Sequence, residues 1–289
     1  MVSSILTGRI IKGVGGSYQV VTDIGEFTCQ ARGLFRKEGI TPLVGDFTRI
    51  SVVDEEKQSG YLLEILPRKN ELNRPKIANI DQAVFVCAIV PPISFEVMDA
   101  FLINCEEQNV SAILCINKID LDNEKEYQEV IKSYEKAKYK VLAVSAASGF
   151  GLKELHETIE GKTSILAGPS GVGKSSIFNR LYPQYSLAVG ELSTKISRGK
   201  HTTRHTSLLK VSDNTFLVDS PGFTSFSINH INKENLQYNY PEFKPYLDEC
   251  YYNNCIHISE HDCAVKAQIG LNIDIGRYNR YVRFVKGAN

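Results

Sequence analysis

The sequence predicts a multidomain α/β protein in three parts: an N-terminal OB-type β-barrel over residues 1–68, a parallel sheet with helices over 69–228, and a small Cys/His-rich segment with a terminal helix over 229–289. Three observations carry this reading. The first stretch alternates polar and apolar residues in short runs separated by Gly-rich turns. From residue 80 onward, continuous apolar runs alternate with helical stretches. Near the end, three of the chain's seven cysteines gather around one histidine.

The barrel segment opens with Thr7–Lys12, turns through Gly13–Ser17 and continues with Tyr18–Val21, Glu26–Ala31, Asp46–Val53 and Tyr61–Leu66, ending before Pro67. Five short strands without a convincing amphipathic helix suit a small barrel, with OB as one of several antiparallel forms open at this point.

The grammar then changes. Ala83–Val90 is a continuous apolar run, as expected of a strand covered on both faces. A helix around Glu96–Gln108 leads to a second buried strand, Ser111–Ile116. Helix Glu124–Ala137, strand Lys140–Val144, helix Leu152–Ile159 and strand Thr163–Ala167 follow, and a further helix opens at Lys174. Such alternation predicts parallel strands with right-handed crossovers. Ser207–Val211 and Thr215–Val218 are two further strands. Ligand sites in such sheets lie at the carboxyl ends of strands.

Four short motifs sit at those ends. Asn117-Lys118-Ile119-Asp120 comes first and Ser145-Ala146 second. Gly168-Pro169-Ser170-Gly171-Val172-Gly173-Lys174-Ser175 is third, and Asp219-Ser220-Pro221-Gly222 is last. The third is a phosphate loop between a strand and a helix. Its glycines let backbone N–H groups curl around phosphate oxygens, Lys174 reaches the β- and γ-phosphates, and the Ser175 hydroxyl takes Mg²⁺. An Asp120 carboxylate accepts from guanine N1–H and the exocyclic amine, a donor pair adenine lacks. The Lys118 stem covers the base face, Asn117 ties the loop together, and a backbone N–H at Ser145-Ala146 meets guanine O6. Asp219 holds Mg²⁺ through water, and the Gly222 N–H contacts the γ-phosphate. In ordinary GTPases the phosphate loop leads. Here the base readers precede it, so the motifs describe a complete GTP site in a circularly permuted P-loop domain.

Residue 223 is Phe, which cannot orient an attacking water as a glutamine does. The stretch Gly199–Arg204 is the region to search for a substitute. Thr203 could complete the Mg²⁺ shell. His201 could position water when the loop closes, or could be an exposed loop histidine.

Cys250-x₄-Cys255-Ile256-His257-x₅-Cys263 supplies three thiolates and an imidazole, a composition suited to one structural Zn²⁺ with no open position. His261 competes as a ligand but stands only two residues from Cys263. Arg277-Tyr278-Asn279-Arg280-Tyr281-Val282-Arg283-Phe284 interleaves cations with aromatics. Such a helix can bind RNA by phosphate contact and base stacking, or can dock its rings while its arginines stay solvated.

Bulk properties set limits. With 33 basic and 33 acidic residues the formal net charge is +0, so any nucleic-acid surface must be local. No apolar run approaches the roughly 18–20 residues that span a bilayer, and the N-terminus lacks a signal-peptide pattern. A cytoplasmic protein with no membrane partner is expected, and its thiols fit a reduced state plus one metal site.

Taken together, the cyclic motif order, the preceding barrel and the trailing Cys₃His segment resemble the ribosome small-subunit-dependent GTPase A family of bacteria over essentially the whole chain. Gly168–Ser176, Asn117–Asp120, Asp219–Gly222 and the four Cys/His positions match its pattern. So does Gly199-Lys200-His201-Thr202-Thr203, its mobile loop, whose histidine is the family's proposed catalytic residue. The hydrophobic Phe223 also fits, while Arg204 stands where some members have a third threonine. The resemblance implies an OB-fold, a circularly permuted GTPase domain and a zinc domain. It also implies late maturation of the 30S ribosomal subunit, contact with 16S rRNA, and GTP hydrolysis stimulated by that subunit. GTP and GDP are the expected nucleotides, and a monomer is expected. In this motif order Asp219–Gly222 runs directly into the C-terminal segment, so γ-phosphate contacts are expected to bias the zinc domain. Two other functions stay open on residues alone. One is an RNA-binding scaffold that uses nucleotide only for stability. The other is a kinase or ATPase, which the guanine-reading pair argues against.

Overall fold

The computed structural model describes residues 4–37, 39–73, 75–185, 206–219, 228 and 230–287, with Arg36, Asn73 and Asp219 described by backbone alone. The chain divides into two compact units: 1–82 with 159–165 and 187–223, and 83–158 with 166–186 and 224–289.

The first unit is built on a closed barrel. Strands β1 (Ile5–Val14), β2 (Ser17–Thr22), β3 (Gly25–Ala31), β4 (Phe47–Asp54) and β5 (Ser59–Ile65) follow the ring order β1-β2-β3-β5-β4, and β1 pairs again with β4 to close it. Only β3–β5 is parallel; the other pairs are antiparallel. This is the OB-type arrangement expected from the strand pattern. Alternation explains the core: Phe27 and Cys29 from β3, Ile50 and Val52 from β4, and Leu62 from β5 point inward with Ile10 and Val20. β1 is long enough to serve two neighbours, and a register shift between Ile10 and Lys12 lets it bend. A five-residue helix, α1 (Gly33–Lys37), was not expected; it is too short to show a period, yet it sets Phe35 into the barrel core.

Two hairpins complete this unit. β6 (Glu71–Asn73) pairs with β7 (Lys76–Ala78). β12 (Ser207–Ser212) and β13 (Thr215–Asp219) are joined through Asp213-Asn214 and are antiparallel. Both strands of the second hairpin fall where the sequence predicts two further strands, in a domain expected to carry a parallel sheet. A two-residue connection permits only an antiparallel pair, so the sheet is mixed. β13 is parallel to β11 (Thr163–Ala167), and β12 also pairs with β1 through Lys12 and Ser207. Arg9 is buried in this unit, donating to Thr163 Oγ1 at 2.5 Å and to the Asn79 carbonyl at 2.8 Å between the Phe47 and Phe216 rings.

In the second unit the strand order is β10 (Lys140–Ala143), β9 (Ser111–Asn117), β8 (Gln82–Ala88), with β10 and β9 parallel. Every residue of β8 is buried, as its unbroken apolar run predicts. Helices α2 (Phe95–Glu107), α3 (Tyr127–Lys136), α4 (Leu152–Ile159) and α5 (Lys174–Leu181) fall where strand–helix alternation put them. A second apolar cluster joins α2 residues Ala100 and Ile103 to Leu236, Tyr240, Phe243, Val265 and Ile273. It also includes Tyr281 and Val285 of α7 (Ile275–Gly287), while α6 (Ala264–Ala267) contributes Val265. Among the described residues, no helix is long and apolar enough to cross a membrane.

Candidate nucleotide and metal sites

The nucleotide site begins at strand ends. β9 is apolar and buried from Ile113 to Ile116, which brings Asn117 into the interior at 1% exposure. Its amide then joins three loops. Nδ2 donates to the Val172 carbonyl in the phosphate loop at 2.8 Å, and Oδ1 accepts from the Ala146 N–H at 3.1 Å. The expected tie is present and reaches across 55 residues to the phosphate loop. Two glycines leave room for it. Gly173 has φ +96°, and a Cβ there would stand 2.3 Å from Asn117 Nδ2. Gly168 has φ +128°, and its Cβ would meet the Val86 carbonyl of β8 at 2.0 Å. Both positions combine a left-handed backbone with a close approach that only glycine tolerates.

The next residue, Lys118, takes a left-handed φ of +63°, unusual for a lysine, and its ammonium donates to the Val90 carbonyl at 3.0 Å. Asp120 is exposed; its Oδ1 accepts from the Ser145 hydroxyl, and Oδ2 has no partner among the described residues. Ser145 therefore acts through its side chain on the carboxylate. The Ser145 N–H donates to the Phe150 carbonyl at 2.9 Å, and the Ala146 N–H donates to Asn117 Oδ1. Both backbone N–H groups are thus hydrogen-bonded within the protein.

In the phosphate loop, Pro169 is half-buried, Ser170 and Gly171 are exposed, and Val172 is buried. Lys174 begins α5 and folds back onto its own loop, donating to the Gly168 carbonyl at 2.8 Å and the Pro169 carbonyl at 2.6 Å. Burial pushes its pKa below the ordinary lysine range. A partly desolvated ammonium on loop carbonyls is a strong electrostatic partner for a phosphate. Ser175 is buried in the first turn of α5, and Ser176 is half-buried beside it. Asp219 ends β13, with its side chain outside the described residues. His201, Thr203, Gly222 and Phe223 lie outside them altogether.

The metal cluster is assembled as expected. One donor atom from each of Cys250, Cys255, His257 and Cys263 lies within 4.8 Å of the others. His257 Nδ1 faces the three sulfurs at 3.6, 3.2 and 3.3 Å respectively. Its other ring nitrogen, Nε2, is 2.7 Å from Gln237 Oε1. The donor set and its spacing fit a four-coordinate structural zinc with no vacant position.

The terminal helix departs from both readings offered for it. Tyr281 docks, but Arg277 and Arg280 go in with it and are buried. Arg277 donates to Asp99 Oδ1 and Glu242 Oε1, each at 2.6 Å, while Arg280 pairs with Asp99 Oδ2 and donates to Tyr134 Oη at 3.2 Å. The Arg277 guanidinium also stacks against Tyr134, Tyr139 and Tyr240. Burial alone would lower its pKa; Glu242 and Asp99 more than reverse this and keep it charged. These two arginines are committed inside the molecule, whereas Arg283 stays exposed, paired with Glu96.

A barrel, a phosphate loop and a base-reading loop joined by one buried asparagine, with the base readers first in the chain, define a circularly permuted P-loop GTPase carrying a Cys₃His centre. The RsgA GTPase profile matches residues 65–229 and the RsgA N-terminal domain profile residues 7–62. The small ribosomal subunit biogenesis GTPase RsgA of Alkaliphilus metalliredigens is 40% identical over 280 residues, 96% of each chain. Its counterpart in Geobacillus kaustophilus is 41% identical over 283 residues, again 96% of each. The crystal structure of YjeQ from Thermotoga maritima superposes with a TM-score of 0.85 at 31% identity, covering 98% of both chains. That of YloQ, described as a circularly permuted GTPase, gives 0.81 at 32% identity, covering 98% of this chain and 95% of the other. The chain belongs to the RsgA GTPase family.

Proposed function

We propose that the protein hydrolyses GTP during late maturation of the 30S ribosomal subunit, binds 16S rRNA and is stimulated by the small subunit. The observation that carries this reading is the Asn117 tie, which unites guanine-reading and phosphate-holding loops in one unit despite their rotated order. The relatives' names supply the ribosomal part.

In this reading Asp120, Lys118 and the Ser145-Ala146 loop hold the base, and Gly168–Ser176 hold the phosphates. Ser175, Thr203 and Asp219 serve Mg²⁺, Gly222 senses the γ-phosphate, and His201 positions the attacking water. Cys250, Cys255, His257 and Cys263 hold one structural Zn²⁺. Functional segments are assigned as 1–68 (barrel), 69–228 (GTPase) and 229–289 (zinc and terminal helix), in a cytoplasmic monomer.

GTP hydrolysis measured with and without 30S subunits tests the proposal. Turnover that rises with subunits supports it, and turnover that stays negligible refutes it. His201→Ala should abolish the stimulated rate while leaving GDP affinity intact; an unchanged rate ends the catalytic role of His201.

A further inference from the structure

The basic, aromatic tail has a use that its buried arginines leave available. α7 sends Arg277 and Arg280 to Asp99 and Glu242, and Tyr278 and Tyr281 to the Cys/His loop. Tyr278 Oη donates to the His257 carbonyl at 2.7 Å, and Tyr281 Oη to the Ile256 carbonyl at 2.9 Å. From the other side, the Glu260 carboxylate accepts the N–H groups of Ile256 at 2.9 Å and Ile258 at 2.7 Å. His257 itself has φ +61°, a conformation that a non-glycine residue keeps only when its surroundings impose it. The backbone on both sides of the histidine is therefore fixed by four hydrogen bonds from outside the turn's own main chain.

The ring is fixed separately. Gln237 lies in the one-turn helix Leu236–Asn239 and is buried. Its Nε2 donates to the Glu234 carbonyl at 2.8 Å, which leaves Oε1 to face the imidazole. An acceptor at that position requires the proton on His257 Nε2. The Nδ1 lone pair is then directed at the three sulfurs.

We infer that Gln237 and Tyr278 are positioning residues for the metal-binding imidazole: Gln237 selects its tautomer, and Tyr278, with Tyr281 and Glu260, holds its loop. The terminal helix is thus an organiser of the Cys₃His centre. This rests on the zinc reading above.

The test uses the full-length protein loaded with Zn²⁺, with affinity measured by competition against a chromophoric chelator and ligation read from the visible spectrum of the Co²⁺ form. Gln237→Met should weaken Zn²⁺ by about 10–100-fold, the usual effect of losing an outer-shell partner. Its Co²⁺ spectrum should shift away from three sulfurs plus one nitrogen. Gln237→Glu keeps an acceptor for Nε2–H but loses the donor to the Glu234 carbonyl, so it should recover the Co²⁺ spectrum with only part of the affinity. Tyr278→Phe removes a single hydroxyl and should cost about 2–10-fold. A folded Gln237→Met with wild-type affinity and spectrum overturns the assignment. If that variant does not fold, Tyr278→Phe decides, and wild-type affinity in it overturns the proposal equally. A wild-type chain that binds no Zn²⁺ would instead remove the metal reading itself.

Discussion

Asn117→Ala is the sharpest test of the nucleotide site. The native amide is buried and makes two hydrogen bonds, to the Val172 carbonyl at 2.8 Å and from the Ala146 N–H at 3.1 Å. Truncation loses both and leaves two buried backbone groups unpaired, for a total of about 2–4 kcal/mol. Both partners belong to loops that form the nucleotide site. If half of the loss appears in binding, affinity falls about 5–30-fold. The fall should be the same for GDP and GTP, because neither partner of the amide belongs to the segments assigned to the γ-phosphate, Gly199–Arg204 and Asp219–Gly222. Asn117→Asp should do worse than Ala: it keeps an acceptor for Ala146 but sets a carboxylate against the Val172 carbonyl. Titration with fluorescent GDP and a non-hydrolysable GTP analogue, alongside urea unfolding, measures both parts. A folded Asn117→Ala chain that binds GDP within twofold of wild type would refute the claim that this side chain assembles the site.

Gly173→Ala should reach the same endpoint from the other side of the contact. It costs about 1–2 kcal/mol for the left-handed backbone, and its Cβ displaces the Asn117 amide from 2.3 Å, so the same titration should show at least as large a loss. Arg277→Met strands the buried Glu242 carboxylate and leaves Asp99 to Arg280 and Tyr134, and it should destabilise the protein by about 3–5 kcal/mol in urea unfolding. Arg283→Ala, which breaks an exposed pair, should cost under about 1 kcal/mol in the same experiment. Stripping metal with a strong chelator should lower the melting temperature and expose the three clustered cysteines to thiol reagents. An unchanged melting temperature would deny the centre a structural role.

Much of this was readable from residue patterns because the signals are local. A strand buried on both faces must be apolar throughout, so β8 and β9 announced themselves, and the motifs at their ends followed. The Cys/His spacing marked the four clustered donors for the same reason. What escaped depends on partners far along the chain. Arg277 and Arg280 looked like solvent-facing cations because Asp99, 178 residues before Arg277, carries no sign of its burial in α2. Gln237 stands 20 residues before the imidazole it orients, and nothing about a glutamine in a polar stretch marks it. The strand runs alone do not show that β12 is antiparallel to β13, because that orientation is set where Asp213-Asn214 turns the chain back. The backbone donors of Ser145-Ala146 are engaged for a reason composition cannot show: the loop closes on Phe150 and Asn117.

The rotated order also reverses what a translating ribosome delivers first. The asparagine amide emerges 55 residues ahead of the Val172 carbonyl it needs. Until the later segment is synthesised, the guanine half holds an apolar strand ending in an unanswered polar group, so nascent chains stopped before Val172 cannot assemble the nucleotide site. GDP added during synthesis can therefore rescue folding only after the phosphate loop has cleared the exit tunnel.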